Sequence, residues 1–189
     1  AEPSWHLPSA RAQVRQRLEG LMRETGLAVD LEREIQLLRR GQAIPAQGNF
    51  PPHTLGYDPA FKSENGDYDP VKAKALLDLY GYVDRDGDGW RDQPDGSPLV
   101  LQKSTLPDQV NRALDEQWSR NMKAIGIRIE FLTAKFQENL KAGRAGKLQM
   151  WSLGNLAADS DSQSAFQRYD SNQIGGNNWA RFKLPEMDA

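Results

Sequence analysis

The sequence predicts an α/β fold, on three observations. From Ser97 onward, short apolar stretches with strand character alternate with amphipathic stretches of helical period. The connections between them are a few residues long and carry Gly, Pro or Asp at the joints. The chain has 189 residues, enough for one layered domain of ordinary size.

In order, SPLVLQKST reads as a strand, PDQVNRALDEQWSRNMKAIG as a helix, IRIEFLTA as a strand, FQENLKAGRAG as a helix and KLQMWSLG as a strand. Such β-α-β-α-β alternation calls for parallel strands with right-handed crossovers, and ligands then meet the sheet at the strand C-terminal ends. Those ends are Thr105 to Asp108, Thr133 to Phe136, and Ser152 to Asp161. Before this layer, Ala10, Val14, Leu18, Leu21 and Met22 recur at helical spacing, which predicts a helix from Ser9 to about Glu24. Asp30 then caps a second amphipathic stretch, LEREIQLLRR, closed by Gly41. Residues 42–69 are dense in Pro, Gly and Asn and read as a long loop. Asp69-Pro70 opens a helix as N-cap and first helical residue, and Gly81 closes it. Pro185, with Glu186 and Asp188 behind it, opens a further helix at the end of the sequence, where its brevity suggests an excised fragment.

Composition narrows the function classes. Lys and Arg total 24 against 26 Asp and Glu, so no overall basic charge favours nucleic acid or anionic lipid. There is no cysteine, which excludes disulfides, thiolate metal sites and cysteine nucleophiles. The mean hydropathy of −0.72 describes a hydrophilic chain, although 38% apolar residues still supply a core. Neither His6 nor His53 has beside it a Ser or Cys arrangement that suggests a nucleophile and base, and no GxSxG, HExxH, Walker or dinucleotide-binding pattern occurs, so no catalytic residue is assigned.

Two constellations carry chemistry. DRDGDGWRDQPD, from Asp84 to Asp95, follows the spacing of a calcium loop: Asp84, Asp86 and Asp88 at positions 1, 3 and 5, Gly89 at 6, the Trp90 carbonyl at 7, Asp92 at 9 and Asp95 at 12. Calcium requires six or more oxygens converging on one hard cation, and alternate residues of a tight loop deliver them. Asp95 stands where a bidentate Glu is usual, and Pro94 with Gly96 makes a turn where an EF-hand would start its second helix. The same residues suit an acidic surface turn whose aspartates accept backbone N–H bonds. The second constellation is late in the chain: Trp151, Asn155, Phe166, Tyr169, Asn172, Asn177, Asn178 and Trp179. Aromatic faces with amide hydrogen-bonders suit a cleft that holds an extended polar ligand.

The runs YDPVKAKALLDLYGYVDRDGDGWRDQPDGSPLVL, LDEQWSRNMKAIGIRIEFLTAKFQENLKAGRAGKLQMWSLG and GLAVDLEREIQLLRRGQAIPAQGNFPPHTLGYDP resemble the bacterial ABC-transporter solute-binding proteins of family 5, the oligopeptide, dipeptide and nickel type. The resemblance covers residues 26–189 and leaves 1–25 as a separate N-terminal helix. It implies the C-terminal lobe of a type II periplasmic binding protein, with the first lobe and a C-terminal tail outside this sequence. It further implies a secreted, periplasmic, monomeric protein that captures a peptide or other small solute for an ABC permease in the inner membrane. No enzyme activity, no nucleic-acid partner and no required cofactor are implied.

Carried over residue by residue, the resemblance puts Phe136 where the family has an aromatic, usually Trp, opening the helix after the second strand. Ser152 stands where oligopeptide binders place a carboxylate-binding arginine, and Gly143, beside Arg144, where they place another. Their Gly-Trp-x-Ala-Asp sequence reads GNLAADSD here, so Asn155 replaces the Trp and Ala158 the Asp that pairs with a peptide amine, unless a shift of one residue brings in Asp159. The expected ligand surface is therefore Thr105, Phe136, Ser152, Asn155, Asp161 and Asn178, with Asp161 as a carboxylate for a cationic group. A reading from another class makes the chain a calcium-stabilised structural or interaction module, with the acidic loop as its functional element.

Overall fold

The computed structural model describes residues 30–63, 67–154 and 166–188; the expected helix over Ser9–Glu24 lies outside them. The order of elements is α1 (Leu31–Leu37), α2 (Pro70–Leu79), β1 (Val100–Thr105), α3 (Gln109–Ala124), β2 (Arg128–Thr133), α4 (Phe136–Arg144) and β3 (Met150–Trp151). Single 3-10 turns follow at Ser171–Gln173 and Pro185–Met187. The predicted alternation from Ser97 to Gly154 is thus present in full. The helix expected at Pro185 is one turn only, its cap N–H of Asp188 bonding back to Pro185.

The helix starts follow their caps. Asp69 accepts from the backbone N–H groups of Val71 and Lys72 with Pro70 in the first turn. Asp108 accepts from the N–H of Asn111 at 2.9 Å and from its side-chain amide, and these bonds hold the Asp108 carboxyl below its usual range. α1 stops at Leu37, short of the expected Arg40. Arg40 and Gly41 both take positive φ, and the Gly41 N–H returns to the Ile35 carbonyl, so the left-handed exit starts one residue before the glycine.

The three strands form one sheet in the order β2-β1-β3, parallel throughout. Val100 pairs with Arg128 and Thr105 with Thr133 at the two ends of the β1–β2 ladder, while Lys103 and Ser104 pair with Met150 and Trp151. β1 is central although first, so the chain moves to one side through α3 and returns past β1 through α4. Right-handed crossovers in opposite directions put their helices on opposite faces. The side chains agree: Leu101 and Ile129 pack on the cluster of Ala73, Leu77, Met122, Ile125 and Ile127 that α2 and α3 build on one face. On the other face, α4 presents Gly143 to the ring of Trp151, where an added Cβ would stand 3.5 Å from the ring carbons.

One charged pair sits inside this core. Lys103 and Asp115 are both buried, and the ammonium lies 2.8 Å from the carboxylate. Its nitrogen is also 5.6 Å from the Trp118 ring centre and 5.5 Å from that of Phe131. The pair and the two rings join the middle of β1 to α3 and β2. Among the described residues, no helix is long and apolar enough to cross a membrane.

Candidate solute-binding edge and acidic loop

The topology places a crevice at the C-terminal edge of the sheet, between β1 and β3, where the direction of winding reverses. Thr105 ends β1 and Ser152 follows β3, so these two residues flank that crevice. Thr105 is 4% exposed and its Oγ1 has no hydrogen-bond partner among the described residues. A buried hydroxyl left this way costs about 1–3 kcal/mol, which a ligand atom or a bound water recovers. Ser152 is exposed.

Beside the crevice stands an aromatic tier. Phe136, the first residue of α4, is 42% exposed. Its ring meets Trp151 at 5.9 Å between centres, and Trp151 stacks on Trp179 at 5.7 Å with 13° between planes. Residues from α4, β3 and the late segment around Trp179 thus form one continuous apolar step. Gly143, where the resemblance leads one to expect an arginine of the oligopeptide binders, packs under the ring of Trp151. The neighbouring Arg144 lends its carbonyl to Arg181.

Asn178 is 0% exposed, and its amide is fully engaged. Nδ2 donates to the carbonyls of Asp170 and Phe182, and Oδ1 accepts from the Phe182 N–H. It pins the last loop instead of presenting a free amide. Asn155 and Asp161 lie outside the described residues. The Pro-rich loop packs against the same late segment: Phe50 meets Phe166 edge-on at 5.5 Å, and Asn49 bonds the Tyr169 hydroxyl.

At the opposite edge, the acidic loop precedes β1 and touches the start of β2. Asp84, Asp86 and Asp88 bring carboxylate oxygens within 4.8 Å of one another and are exposed, a cluster able to chelate a divalent ion. Their oxygens also serve the loop backbone: Asp84 accepts from the N–H groups of Gly87 and Gly89, Asp86 from Asp88, and Asp88 from Trp90. Gly87 and Gly89 take φ of 78° and 88°, the left-handed turns that glycine allows without strain. Arg128 bonds Asp88 at 3.1 Å and lies over the Trp90 ring.

The second half of the predicted calcium spacing is arranged differently. Asp92 bridges to Pro98 as antiparallel backbone, and its Oδ2 accepts from the Arg85 N–H. Asp95 accepts from the hydroxyl and the N–H of Ser97, which hold its carboxyl below the usual range. Positions 9 and 12 thus belong to a small hairpin turned by Pro94 and Gly96, and only positions 1, 3 and 5 converge.

Three structural residues escape a motif search. The Lys103–Asp115 pair was legible only as a Lys interrupting the apolar face Leu101–Lys103 of a strand and an Asp in register with Trp118 and Met122 on a helix. Arg91 bonds the Ile125 and Tyr82 carbonyls and Asp78, clasping the ends of α2 and α3, and no local pattern announces it.

The family model for bacterial extracellular solute-binding proteins, family 5 (Middle), matches residues 26–177. The chain belongs to this family. Its members are bacterial extracellular solute-binding proteins. It is 26% identical over 164 residues to the haem-binding protein A of Haemophilus influenzae, covering 86% of this chain and 28% of that protein. It is 34% identical over 115 residues to the di/tripeptide-binding protein 2 of Pseudomonas aeruginosa, covering 58% of this chain and 18% of that one. The structure of the oligopeptide-binding protein AppA of Bacillus subtilis, in complex with a nonapeptide, superposes with a TM-score of 0.76 at 20% identity, over 92% of this chain and 34% of that one. The fold is that of one lobe of a type II periplasmic binding protein. The chain spans well under half the length of these relatives.

Proposed function

We propose that residues 26–189 form the C-terminal lobe of a two-lobed periplasmic protein that captures a peptide or peptide-like solute and delivers it to an inner-membrane ABC permease. The observation that carries this reading is the strand order β2-β1-β3, whose winding reverses beside β1 where such sheets take ligands at their C-terminal edge, with Thr105 ending β1, its Oγ1 unbonded among the described residues, and Phe136 part-exposed at the start of α4. The family supplies the transport role, and the di/tripeptide and oligopeptide relatives favour peptide as the solute. On this reading Thr105, Phe136 and Ser152 contact the solute, together with Asn155 and Asp161 later in the sequence. They offer stacking and neutral hydrogen bonds, with the Asp161 carboxylate for a cationic group. The full-length protein acts as a monomer.

The experiment is native mass spectrometry of the full-length protein purified from its host, followed by a thermal-shift screen against a peptide library. Retained peptide or a shift with peptides is the expected result. No retained solute together with no shift overturns the capture of peptides.

A second proposal concerns the loop. Calcium at Asp84, Asp86 and Asp88 braces the start of the sheet, since the three carboxylates already converge. Millimolar calcium is then expected to raise the melting temperature, and Asp86→Ala to abolish the rise; an unchanged wild-type melting temperature refutes it.

A further inference from the structure

The first turn of α4 contains a residue that ordinary helix packing does not call for. Asn139 lies one turn after Phe136 and is 3% exposed. Asparagine is a poor helix former, and an amide is costly to bury unless it is bonded. An apolar side chain would fill the same space at lower cost. The Asn139 amide has a specific partner instead: Nδ2 donates to the backbone carbonyl of Thr105 at 3.0 Å.

That carbonyl is a point of convergence. It ends the central strand, and it also accepts from the N–H of Ala134 at 3.2 Å, in the loop that leads from β2 into α4. Behind it, Lys135 donates its N–H to the Glu138 carboxylate, and Glu138 and Asn139 return their N–H groups to the Lys135 carbonyl. The loop into α4 and the first turn of α4 are therefore both tied to the tip of β1. Phe136 lies between these two ties.

We infer that Asn139 is a positioning residue of the ligand surface: its amide locks the first turn of α4 to the Thr105 carbonyl and so fixes the Phe136 ring beside the crevice. The inference rests on the solute-capture reading for the ligand, while the lock itself is a property of the fold. Asn139 never touches the solute. It acts by removing, before binding, the freedom that Phe136 would otherwise lose on binding.

The test uses the full-length protein and Asn139→Leu, which keeps the packing and removes the donor. Hydrogen exchange over residues 134–141 is expected to quicken at least about tenfold, while the amides of α3 stay within about twofold. No change, or a uniform change across α3 and α4, overturns the lock. Binding of the tripeptides Ala-Phe-Ala and Ala-Ala-Ala gives the second readout. Asn139→Leu and Phe136→Ala are each expected to weaken Ala-Phe-Ala about tenfold, with the double variant no weaker than Phe136→Ala. Additive losses overturn the assignment of Asn139 to Phe136. If neither tripeptide binds the wild type, the peptide reading fails, and the exchange measurement still decides the lock. Should the Leu variant not fold, Asn139→Asp serves: it loses the donor at neutral pH and regains it on protonation, so slow exchange is expected to return as the pH is lowered, relative to wild type at the same pH.

Discussion

The two edges of the sheet use polar groups in opposite ways. At the N-terminal edge, every aspartate of the acidic loop from Asp84 to Asp95 accepts at least one hydrogen bond from the protein, and Asp88 adds an ion pair with Arg128. At the C-terminal edge, the Thr105 hydroxyl is buried with no hydrogen-bond partner among the described residues, and the Phe136 ring is part-exposed. Exposure and charge would draw attention to the loop. The unmet hydrogen bond and the exposed ring point to the other edge, because folded proteins rarely leave buried polar atoms unpaired without a reason. A rich local motif that satisfies itself is thus weaker evidence for a ligand than one orphaned hydroxyl in the right place.

Both edges hang on the same middle, and breaking it should have the largest effect. Asp115→Ala leaves the Lys103 ammonium buried without its partner, and chemical denaturation is expected to show a loss of about 3–5 kcal/mol. A loss under 1 kcal/mol would mean that the two rings and water suffice to hold the charge.

A smaller change, with the opposite sign, sharpens the contrast between the edges. Thr105→Val keeps the shape of the side chain and deletes the unpaired hydroxyl. The solute-free protein is expected to gain about 1 kcal/mol while affinity for the retained solute falls. Lower stability together with unchanged affinity would show that the hydroxyl is paired in solution and plays no part in binding.

Much of the fold was legible in the residues themselves. The strand and helix alternation, the caps Asp69 and Asp108, and the closing glycine at 81 are local signals, written within a few residues of where they act. The candidate site was legible in part. Thr105 closes β1, Phe136 opens α4 and Ser152 follows β3, as the strand and helix pattern predicts, whereas Asn178 is turned inward by two carbonyls that its own sequence neighbourhood does not reveal. The acidic loop shows the limit of spacing. Six ligand positions fit a calcium pattern, yet the Pro94–Gly96 turn folds the last two into a hairpin, where Asp92 pairs with Pro98 and the Leu99 N–H bonds the Arg91 carbonyl. Asn139 and Lys103 were invisible as functional or structural devices because each acts through a partner more than ten residues away.

The contact between the Pro-rich loop and the late aromatic segment has a consequence for the order of assembly. Asn49 and Tyr169 are 120 residues apart in the chain, and joining them directly would close a very long loop at a high entropic cost. The sheet between them shortens that path once β1, β2 and β3 have paired. The loop therefore docks late, after the parallel layer has formed, and during synthesis its contacts with Phe166 and Tyr169 form only once the chain has been made beyond them.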